Sequence, residues 1–257
     1  FYNCSMLTSI TLNSGVTTIG TSAFYGCSGI TTFTVPTTVT SIGTYAFYNN
    51  TNLASISLPN TLTAISNCTF DGCNKLNNLT LPTELRTIGN YAFYGNTALS
   101  ALNLPSKVTS VGASAFQNCT GLTTLEIPAS VTSVSSYAFS GCSNIATLTL
   151  NSGLQTISGY AFQDLKITTL TVPNSVTSIG KAAFQGCNAL TSISLPFVGG
   201  SRTTSTSANT TVFGYIFGYY YGSSGQPTGT IYQGVSGNYY YYFYIPSTLR
   251  TVTITDA

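Results

Sequence analysis

Phenylalanine recurs at a nearly constant interval over most of the chain. Nine phenylalanines are 23 residues apart, with a last interval of 22: Phe1, Phe24, Phe47, Phe70, Phe93, Phe116, Phe139, Phe162 and Phe184. Other apolar residues recur in the same register, as in Leu53-x-x-Ile56-x-Leu58. A unit of 23 residues is too short to enclose a hydrophobic core alone, whereas stacked units bury a continuous core in which each unit contacts its neighbours. The period therefore predicts a solenoid.

Each unit predicts two short strands and a turn. The Leu-x-x-Ile-x-Leu stretch has the length of a short strand, and the proline that often follows ends it because proline has no N–H for the β ladder. The next stretch, as in Val39 to Ile42, is β-branched and favours a second strand. The Ala-Phe-x-Gly segment, as in Ala23 to Gly26, is typical of one helical or 3₁₀ turn. We expect a β-rich coil with parallel sheets along the solenoid.

The repeated unit resembles the BspA-like family of leucine-rich repeats. The motif is Ile-x-Leu-Pro-x-x-Val-x-x-Ile-Gly-x-x-Ala-Phe-x-Gly-Cys-x-x-Leu, seen in one variant from Phe33 to Leu53, and the resemblance covers residues 1–196. It implies a right-handed leucine-rich-repeat solenoid. Members of this family are typically surface or secreted proteins of bacteria, with some in protists, and are associated with adhesion to host proteins. The resemblance thus implies a non-catalytic, extracellular protein-interaction or adhesion module of a bacterial cell-surface protein.

The period divides the chain into three segments. Residues 1–196 contain about nine repeats, and one residue is missing between Phe162 and Ile167, which predicts a local kink or a tightened turn. Residues 197–248 lose the period and are rich in Tyr, Gly, Ser and Thr, so we interpret them as a β insertion. Residues 249–257 restore the strand pattern and are interpreted as the strand of a resumed, truncated repeat.

Two short segments of the insertion carry a further resemblance. Val212 to Gly218 and Tyr244 to Ser247 resemble an element that interrupts the repeats in some members of the BspA-like family. The chain itself begins with Phe1, without Met or a signal segment, and we interpret it as a piece excised from a longer protein.

Charged residues are rare. They make up 5% of the chain, against roughly 25% in an average soluble domain. The net charge of +2 is too small to neutralise a run of phosphates or to hold an anionic membrane surface, so nucleic acid is not expected as a partner. The longest nearly apolar stretches, Val212 to Gly222 and Tyr239 to Ile245, are shorter than the ~20 residues of a membrane-spanning helix. No membrane insertion is expected.

No pattern in the chain predicts catalysis. The chain has no His, so a Ser or Cys nucleophile lacks its commonest base, and neither a Gly-x-Ser-x-Gly elbow nor a phosphate-binding loop occurs. Most carboxylates lie in different repeats, and Asp71 and Asp164 are four coils apart, too far to act as an acid and base on one bond. We expect no enzyme activity and no cofactor.

Six of the seven cysteines share one position of the unit, three residues after the repeated Phe: Cys4, Cys27, Cys73, Cys119, Cys142 and Cys187. Asn50, Asn96 and Leu165 occupy this position in the other units. We interpret it as a packed position where a weak donor or acceptor meets the backbone. Disulfides between adjacent units are the alternative, although parallel stacked side chains seldom meet the torsion requirement. A zinc site is disfavoured because the chain lacks His and any Cys-x-x-Cys pair.

The outward positions of the main strands are rich in Thr and Ser, as in Thr31-Thr32-Thr34. Threonine favours strands, and its hydroxyl keeps the face of a sheet polar without charge. The structural interpretation is that these Thr and Ser side chains only solvate the sheet. Binding of glycans or of ice is the functional alternative, although ice binding requires a flatness that a leucine-rich-repeat curve lacks.

The insertion holds 10 of the 18 tyrosines. Tyrosine mixed with Ser, Gly and Asn is typical of binding loops, because Tyr provides a large contact area at low rotamer entropy. The candidate ligand-binding residues are Tyr215, Tyr219, Tyr220, Tyr221, Tyr239, Tyr240, Tyr241 and Tyr242. The expected partner is a host or matrix protein or a glycan. The alternatives are a strand whose rings pack on the solenoid, an architectural spacer without its own ligand, and a glycan-binding module that uses the Tyr cluster.

Overall fold

The computed structural model describes residues 1–202, 213–222, 230–236 and 239–255. Within these residues the chain winds into a β-solenoid whose coils follow the 23-residue period of the sequence. The predicted solenoid is therefore confirmed. None of the helical structure in these ranges is long and apolar enough to cross a membrane. We name each coil by its repeated phenylalanine, from the Phe1 coil onwards.

The strands are short, as the repeat predicts. In chain order they are β1 (Thr18–Ile19), β2 (Thr32–Thr34), β3 (Ser41–Ile42), β4 (Ser55–Ser57), β5 (Ala64–Ile65), β6 (Asn78–Leu79), β7 (Thr87–Ile88), β8 (Ser110–Val111), β9 (Thr124–Ile127), β10 (Ser133–Val134), β11 (Thr147–Leu150), β12 (Thr156–Ile157), β13 (Thr169–Thr171), β14 (Ser178–Ile179), β15 (Ser192–Leu195), β16 (Tyr219–Gly222), β17 (Ile231–Ser236), β18 (Tyr239–Phe243) and β19 (Thr251–Ile254). A 3₁₀ helix spans Phe213–Phe217.

Coils pair with their neighbours as parallel strands. The Val-x-x-Ile stretches form a six-stranded sheet in the order β14-β12-β10-β8-β7-β5, and β1 pairs with β3. The main strands form three parallel sheets, β2-β4-β6, β9-β11 and β13-β15-β19. The break between β11 and β13 falls at the unit that lacks one residue. Exposed Thr and buried Leu alternate along β11, as expected for a sheet with one face on the core.

The segment predicted as one helical or 3₁₀ turn, around each repeated Phe, is a series of turns closed by hydrogen bonds between residues three positions apart, without a continuous helix. The Tyr25 N–H donates to the Ser22 carbonyl at 3.1 Å, which closes one such turn. Ser22 has a left-handed φ of 54°, and the equivalent residue of each later coil does too, so a right-handed helix cannot continue through it. The Phe24 N–H donates instead to the Ala46 carbonyl of the next coil at 2.8 Å. The turns are thus joined by a ladder between coils.

The repeated phenylalanines form a continuous stack through the core. From Phe1 to Phe184, neighbouring ring centroids lie 5.1–5.9 Å apart with interplanar angles of at most 18°. The rings from Phe47 to Phe184 are fully buried. Offset or parallel stacking of this kind adds to the free energy of burying the rings.

Part of the 197–248 segment continues the solenoid. The Phe184 N–H donates to the Ile216 carbonyl at 2.9 Å, in the same way that the Phe162 N–H donates to the Ala183 carbonyl one coil earlier. Phe217 follows Ile216 as most repeated Phe residues follow an Ala, and it is fully buried. The 3₁₀ helix therefore occupies the turn position of the coil after the Phe184 coil.

A small antiparallel sheet, which we call the Tyr sheet, leaves this last coil. Its strand order is β16-β18-β17. The Tyr244 N–H donates to the Gly218 carbonyl at 3.0 Å, so the chain leaves and rejoins the coil at adjacent points. Strand β19 then pairs in parallel register with β15, with Val252 opposite Ile193. Among the described residues of the insertion, strands β16, β17 and β18 are thus the part that departs from the coil path.

Candidate binding surfaces

One face of the Tyr sheet packs toward the solenoid. The Tyr219 ring lies 5.4 Å from Tyr241 and 5.5 Å from Phe243, and 6.5 Å from Tyr215 in the 3₁₀ helix. The ammonium of Lys181 lies 4.0 Å from the centroid of the Tyr219 ring, a cation–π contact. Phe243 is fully buried. We call this the inner face, and its contacts fix the sheet on the last coil.

The other face, the outer face, carries Tyr220, Tyr240 and Tyr242. Tyr220 is opposite Tyr242 in the strand register, and the Tyr240 and Tyr242 ring centroids are 6.2 Å apart. Tyr220 is 42% exposed and Tyr240 is 39% exposed, whereas Tyr242 is only 8% exposed. Two rings of this face are therefore accessible to a ligand.

The eight candidate tyrosines thus occupy different environments. Tyr215, Tyr219 and Tyr241 take part in the inner-face packing, Tyr220 and Tyr240 are exposed on the outer face, and Tyr242 is buried. The backbones of Tyr221 and Tyr239 belong to β16 and β18, and their side chains lie outside the described part of the structure. Burial raises the pKa of Tyr215, and electrostatic interaction with Tyr219 raises it further. The Tyr215 phenol therefore stays neutral at physiological pH.

A second group of tyrosines lies on the turns of the repeats. All eight tyrosines outside the insertion occur two residues before or one residue after a repeated Phe: Tyr2, Tyr25, Tyr45, Tyr48, Tyr91, Tyr94, Tyr137 and Tyr160. We call this surface the turn edge. Rings in equivalent positions stack between coils, at 4.6 Å for Tyr2 and Tyr25 and at 4.8 Å for Tyr137 and Tyr160. The sequence prediction missed this group, although its signal is the same 23-residue period.

Asp71 lies on the turn edge among these tyrosines. It occupies, in the Phe70 coil, the position that Tyr48 and Tyr94 occupy in the adjacent coils. Burial raises its pKa from 3.8 to about 6, and its charge in turn raises the pKa of Tyr48. The Asp71 carboxylate accepts no hydrogen bond and forms no ion pair within the described residues. Among the described residues, it is therefore a half-buried acceptor without a donor.

The shared cysteine position is structural, as predicted. Apart from that of Cys4, each thiol at this position donates to the carbonyl of the repeated Phe on the preceding coil, at 3.1–3.3 Å for Cys73, Cys119, Cys142 and Cys187. Asn50 makes the same bond to Phe24 at 2.7 Å. All seven cysteines lie within residues 1–202 and are free thiols. Burial raises the pKa of Cys142 and of Cys187 to about 12, so both stay protonated. Over the described ranges, no three metal-ligating side chains cluster.

The stacked coils and their two parallel strand series define a leucine-rich-repeat solenoid. The family model for the BspA-type leucine-rich repeat region matches the chain in six copies, over residues 1–123 and 109–213. The chain therefore belongs to the BspA-type leucine-rich repeat family.

Solved structures of bacterial proteins resemble the chain. A leucine-rich repeat protein from Bacteroides ovatus is 30% identical with a TM-score of 0.57, over 70% of this chain and 52% of its own. The T. pallidum leucine-rich repeat protein is 30% identical with a TM-score of 0.55, over 68% of this chain and 72% of its own. A leucine-rich cell surface protein from Faecalibacterium prausnitzii is 32% identical with a TM-score of 0.51, over 69% of this chain and 42% of its own.

This chain thus spans about half the length of the Bacteroides relative. No curated protein matches the chain in sequence. Family and structural relatives together identify it as a bacterial leucine-rich repeat module of the protein-interaction type.

Proposed function

We propose that the chain is a non-catalytic adhesion module, displayed outside a bacterial cell, that binds a host or matrix protein or glycan through the Tyr sheet. The family and the Faecalibacterium relative, a cell surface protein, support the location. The observation that carries the proposal is the contrast between the two faces of the sheet: Tyr220 and Tyr240 are exposed on one face while the other face is packed on the last coil.

Rigid, exposed tyrosines suit recognition for a physical reason. A Tyr side chain has only two rotatable angles, so little conformational entropy is lost when a ligand immobilises it. Its ring offers apolar contact and its hydroxyl offers a hydrogen bond. The packing of Tyr219 against Tyr215 and Lys181 holds the sheet in place before binding. Such preorganisation reduces the entropy that binding must offset.

The test compares the intact chain with a variant in which residues 219–242 are replaced by a short Gly-Ser linker. The Tyr244 to Gly218 hydrogen bond places the cut ends together, so the linker spans a short gap. Phe217 and Phe243, which are fully buried, remain in this variant. A double variant, Tyr220→Ser with Tyr240→Ser, tests the outer face alone. Tyr2→Ser, at the far end of the solenoid, is the matched control, since Tyr2 is 60% exposed.

Binding is measured on immobilised extracellular-matrix proteins and mucin glycans, after thermal melting shows that each variant is folded. We expect the intact chain and Tyr2→Ser to bind, and the linker variant and the double variant to lose binding. Equal binding by all four proteins contradicts a role of the Tyr sheet and moves the site to the repeats. No binding by the intact chain favours an architectural spacer.

A further inference from the structure

We propose that Asp71 and Tyr48 on the turn edge form a site for an arginine side chain of a partner protein. The guanidinium would stack on the Tyr48 ring and pair with the Asp71 carboxylate. This site goes beyond the proposed function, because it lies on the repeats and does not use the Tyr sheet. Its evidence is an interrupted stack of tyrosines, a carboxylate without a partner, and the absence of cations from the surrounding turns.

A stack of tyrosines along the turn edge stops at Asp71. The residue directly after the repeated Phe is Tyr2, Tyr25 and Tyr48 in the first three coils and Asp71 in the fourth. The ring centroids lie 4.6 Å apart for Tyr2 and Tyr25 and 4.7 Å apart for Tyr25 and Tyr48, with interplanar angles of 15° and 19°. The Asp71 side chain is too short to reach the place of the next ring. The stack therefore has an open position beside Tyr48, which we call the ring gap.

Tyrosines border the ring gap, and no ring of the described residues fills it. Within those residues, Tyr48 makes ring contacts only with Tyr25 and with Tyr45, whose ring is 5.6 Å away and nearly perpendicular at 74°. Tyr94 has the equivalent position in the coil on the other side of the gap. Its hydroxyl accepts a hydrogen bond from Nδ2 of Asn118, one coil further on, at 3.3 Å. The tip of the Tyr94 ring is thus held away from the gap.

The Asp71 carboxylate faces this gap without a partner of its own. It accepts no hydrogen bond and forms no ion pair within the described part of the chain. The turns of its own coil and of the two adjacent coils, residues 43–50, 66–73 and 89–96, contain no Lys or Arg. Lys75, the lysine nearest in sequence, donates instead to Oδ1 of Asn52 at 2.7 Å. Since a half-buried charge without a partner is unfavourable, a cation supplied by a ligand would stabilise it.

The electrostatics of the ring gap favour a cation. The charge of Asp71 is the largest cause that raises the pKa of Tyr48, so the carboxylate lies close to this tyrosine. Burial raises the pKa of Asp71 to about 6, so the carboxylate is mostly ionised at pH 7. The faces of the tyrosine rings are also negative. A cation in the gap would lie one interval of the stack, ~4.7 Å, from the Tyr48 ring, inside the ~6 Å limit of a cation–π contact.

Among cations, the guanidinium of arginine fits best. It is planar, so it can take the place of the missing ring and continue the stack on Tyr48. Its fork of N–H groups can at the same time donate two parallel hydrogen bonds to the carboxylate of Asp71. A lysine ammonium is a compact point charge that neither stacks nor binds a carboxylate in this forked geometry.

A metal ion fits less well than an arginine. The turns around the ring gap contain one carboxylate, that of Asp71, whereas Ca²⁺ takes six to eight oxygen ligands. No three metal-ligating side chains cluster anywhere in the part of the chain that the structure describes. The single carboxylate beside an aromatic face therefore favours an organic cation.

The test is an NMR titration of the intact, ¹⁵N-labelled chain at pH 7 with three peptides: Gly-Arg-Gly, Gly-Lys-Gly and Gly-citrulline-Gly, each with blocked ends. Citrulline has the planar shape of arginine but no charge. We expect the arginine peptide to shift the backbone amide signals of Asp71 and Gly72. The lysine peptide should bind several-fold more weakly, and the citrulline peptide about tenfold more weakly or worse.

Variants separate the two contacts. Asp71→Asn keeps the shape of the side chain and should lower the affinity for the arginine peptide about tenfold. Tyr48→Leu should lower it roughly two- to fivefold, whereas Tyr48→Phe, which retains the ring, should leave it nearly unchanged. Asp164→Asn is the matched control, because it removes the same charge four coils away, where Gln163 follows the repeated Phe. Thermal melting shows first that each variant is folded.

Three results would overturn the proposal. The first is equal binding of the arginine and citrulline peptides, since the site would then not recognise a cation. The second is an affinity of folded Asp71→Asn for the arginine peptide equal to that of the parent. The third is binding of the lysine peptide as tight as that of the arginine peptide. The linker variant that lacks residues 219–242 should bind the arginine peptide like the intact chain, which separates this site from that of the proposed function.

Discussion

Replacing Gly141 by Ala should destabilise the chain far more than the same change at Gly95. Both glycines lie two residues after a repeated Phe, and both have a left-handed φ, of 73° and 70°. Alanine in that conformation costs about 1–2 kcal/mol at either site. The surroundings differ, however. A Cβ on Gly141 would overlap Oδ1 of Asn118 in the preceding coil, whereas a Cβ on Gly95 would meet nothing within 4 Å.

The additional destabilisation at Gly141 comes from displacing the Asn118 side chain. Its amide Nδ2 donates to the Tyr94 hydroxyl at 3.3 Å, and moving the side chain breaks this bond. The lost hydrogen bond is worth about 1 kcal/mol, and crowding at a packed site adds about 1–3 kcal/mol. We therefore expect Gly95→Ala to lower the free energy of unfolding by about 1–2 kcal/mol and Gly141→Ala to lower it by about 3–6 kcal/mol.

Urea denaturation followed by circular dichroism measures both changes, and a double-mutant cycle isolates the contact. In an Asn118→Gly background, Gly141→Ala should have the same small effect as Gly95→Ala, which gives a coupling of about 2–4 kcal/mol. Equal destabilisation by the two Gly→Ala variants, or a coupling near zero, would refute the steric argument. Either result would mean that the left-handed backbone conformation alone, and not contact with the preceding coil, determines which residue is tolerated at this position.

Three further predictions concern the core, the carboxylate of the turn edge and the thiols. Phe116→Ala, in the middle of the aromatic stack, should lower the free energy of unfolding by about 3–5 kcal/mol, whereas the control Thr149→Ala should change it negligibly. Hydrogen exchange should increase most in the coils adjacent to Phe116. A uniform loss of hydrogen-exchange protection along the solenoid would contradict this prediction. Because burial raises the pKa of Asp71 from 3.8 to about 6, the folded chain binds this proton more tightly than the unfolded chain. The stabilising effect is complete below about pH 4 and is lost as the pH rises to about 6, so Asp71→Asn should raise the melting temperature at pH 7 relative to the parent more than it does at pH 4. Only Cys4 is exposed, so iodoacetamide at pH 8 should label Cys4 alone in the folded chain and all seven cysteines in urea. Mass spectrometry identifies the labelled cysteines. Rapid labelling of Cys142 in the folded chain would show that the core opens.

The fold was predictable because a constant sequence period determines which residues of neighbouring coils lie next to each other. Once Phe93 and Phe116 are equivalent, the strands that follow them must pair and the rings must stack. The left-handed φ at Tyr45 and Ser22 was not predictable, because residues of these types seldom adopt it. That conformation is imposed by hydrogen bonds to the next coil, which at Ser22 and Tyr45 are contacts between residues 22 positions apart.

The candidate sites were predictable only in part. The composition of the insertion singles out its tyrosines, but the split between Tyr220, which is exposed, and Tyr242, which is buried, depends on which face of β18 packs inward. The role of Phe217 in the core was hidden because it lies 33 residues after Phe184, outside the period. The triplet Tyr215-Ile216-Phe217, which parallels Tyr160-Ala161-Phe162, is the signal that identifies it.

The ladder between coils has a mechanical consequence. Its hydrogen bonds run along the length of the solenoid, so a force that pulls the two ends apart loads the bonds of one interface at a time, and no disulfide joins the cysteines of neighbouring coils. Each coil that peels away releases 23 residues, which extend to about 70–80 Å. A stretched chain should therefore lengthen in steps of one coil at modest tension. In a protein that tethers a cell, such yielding would dissipate the work of a sudden pull before the bond to the ligand breaks.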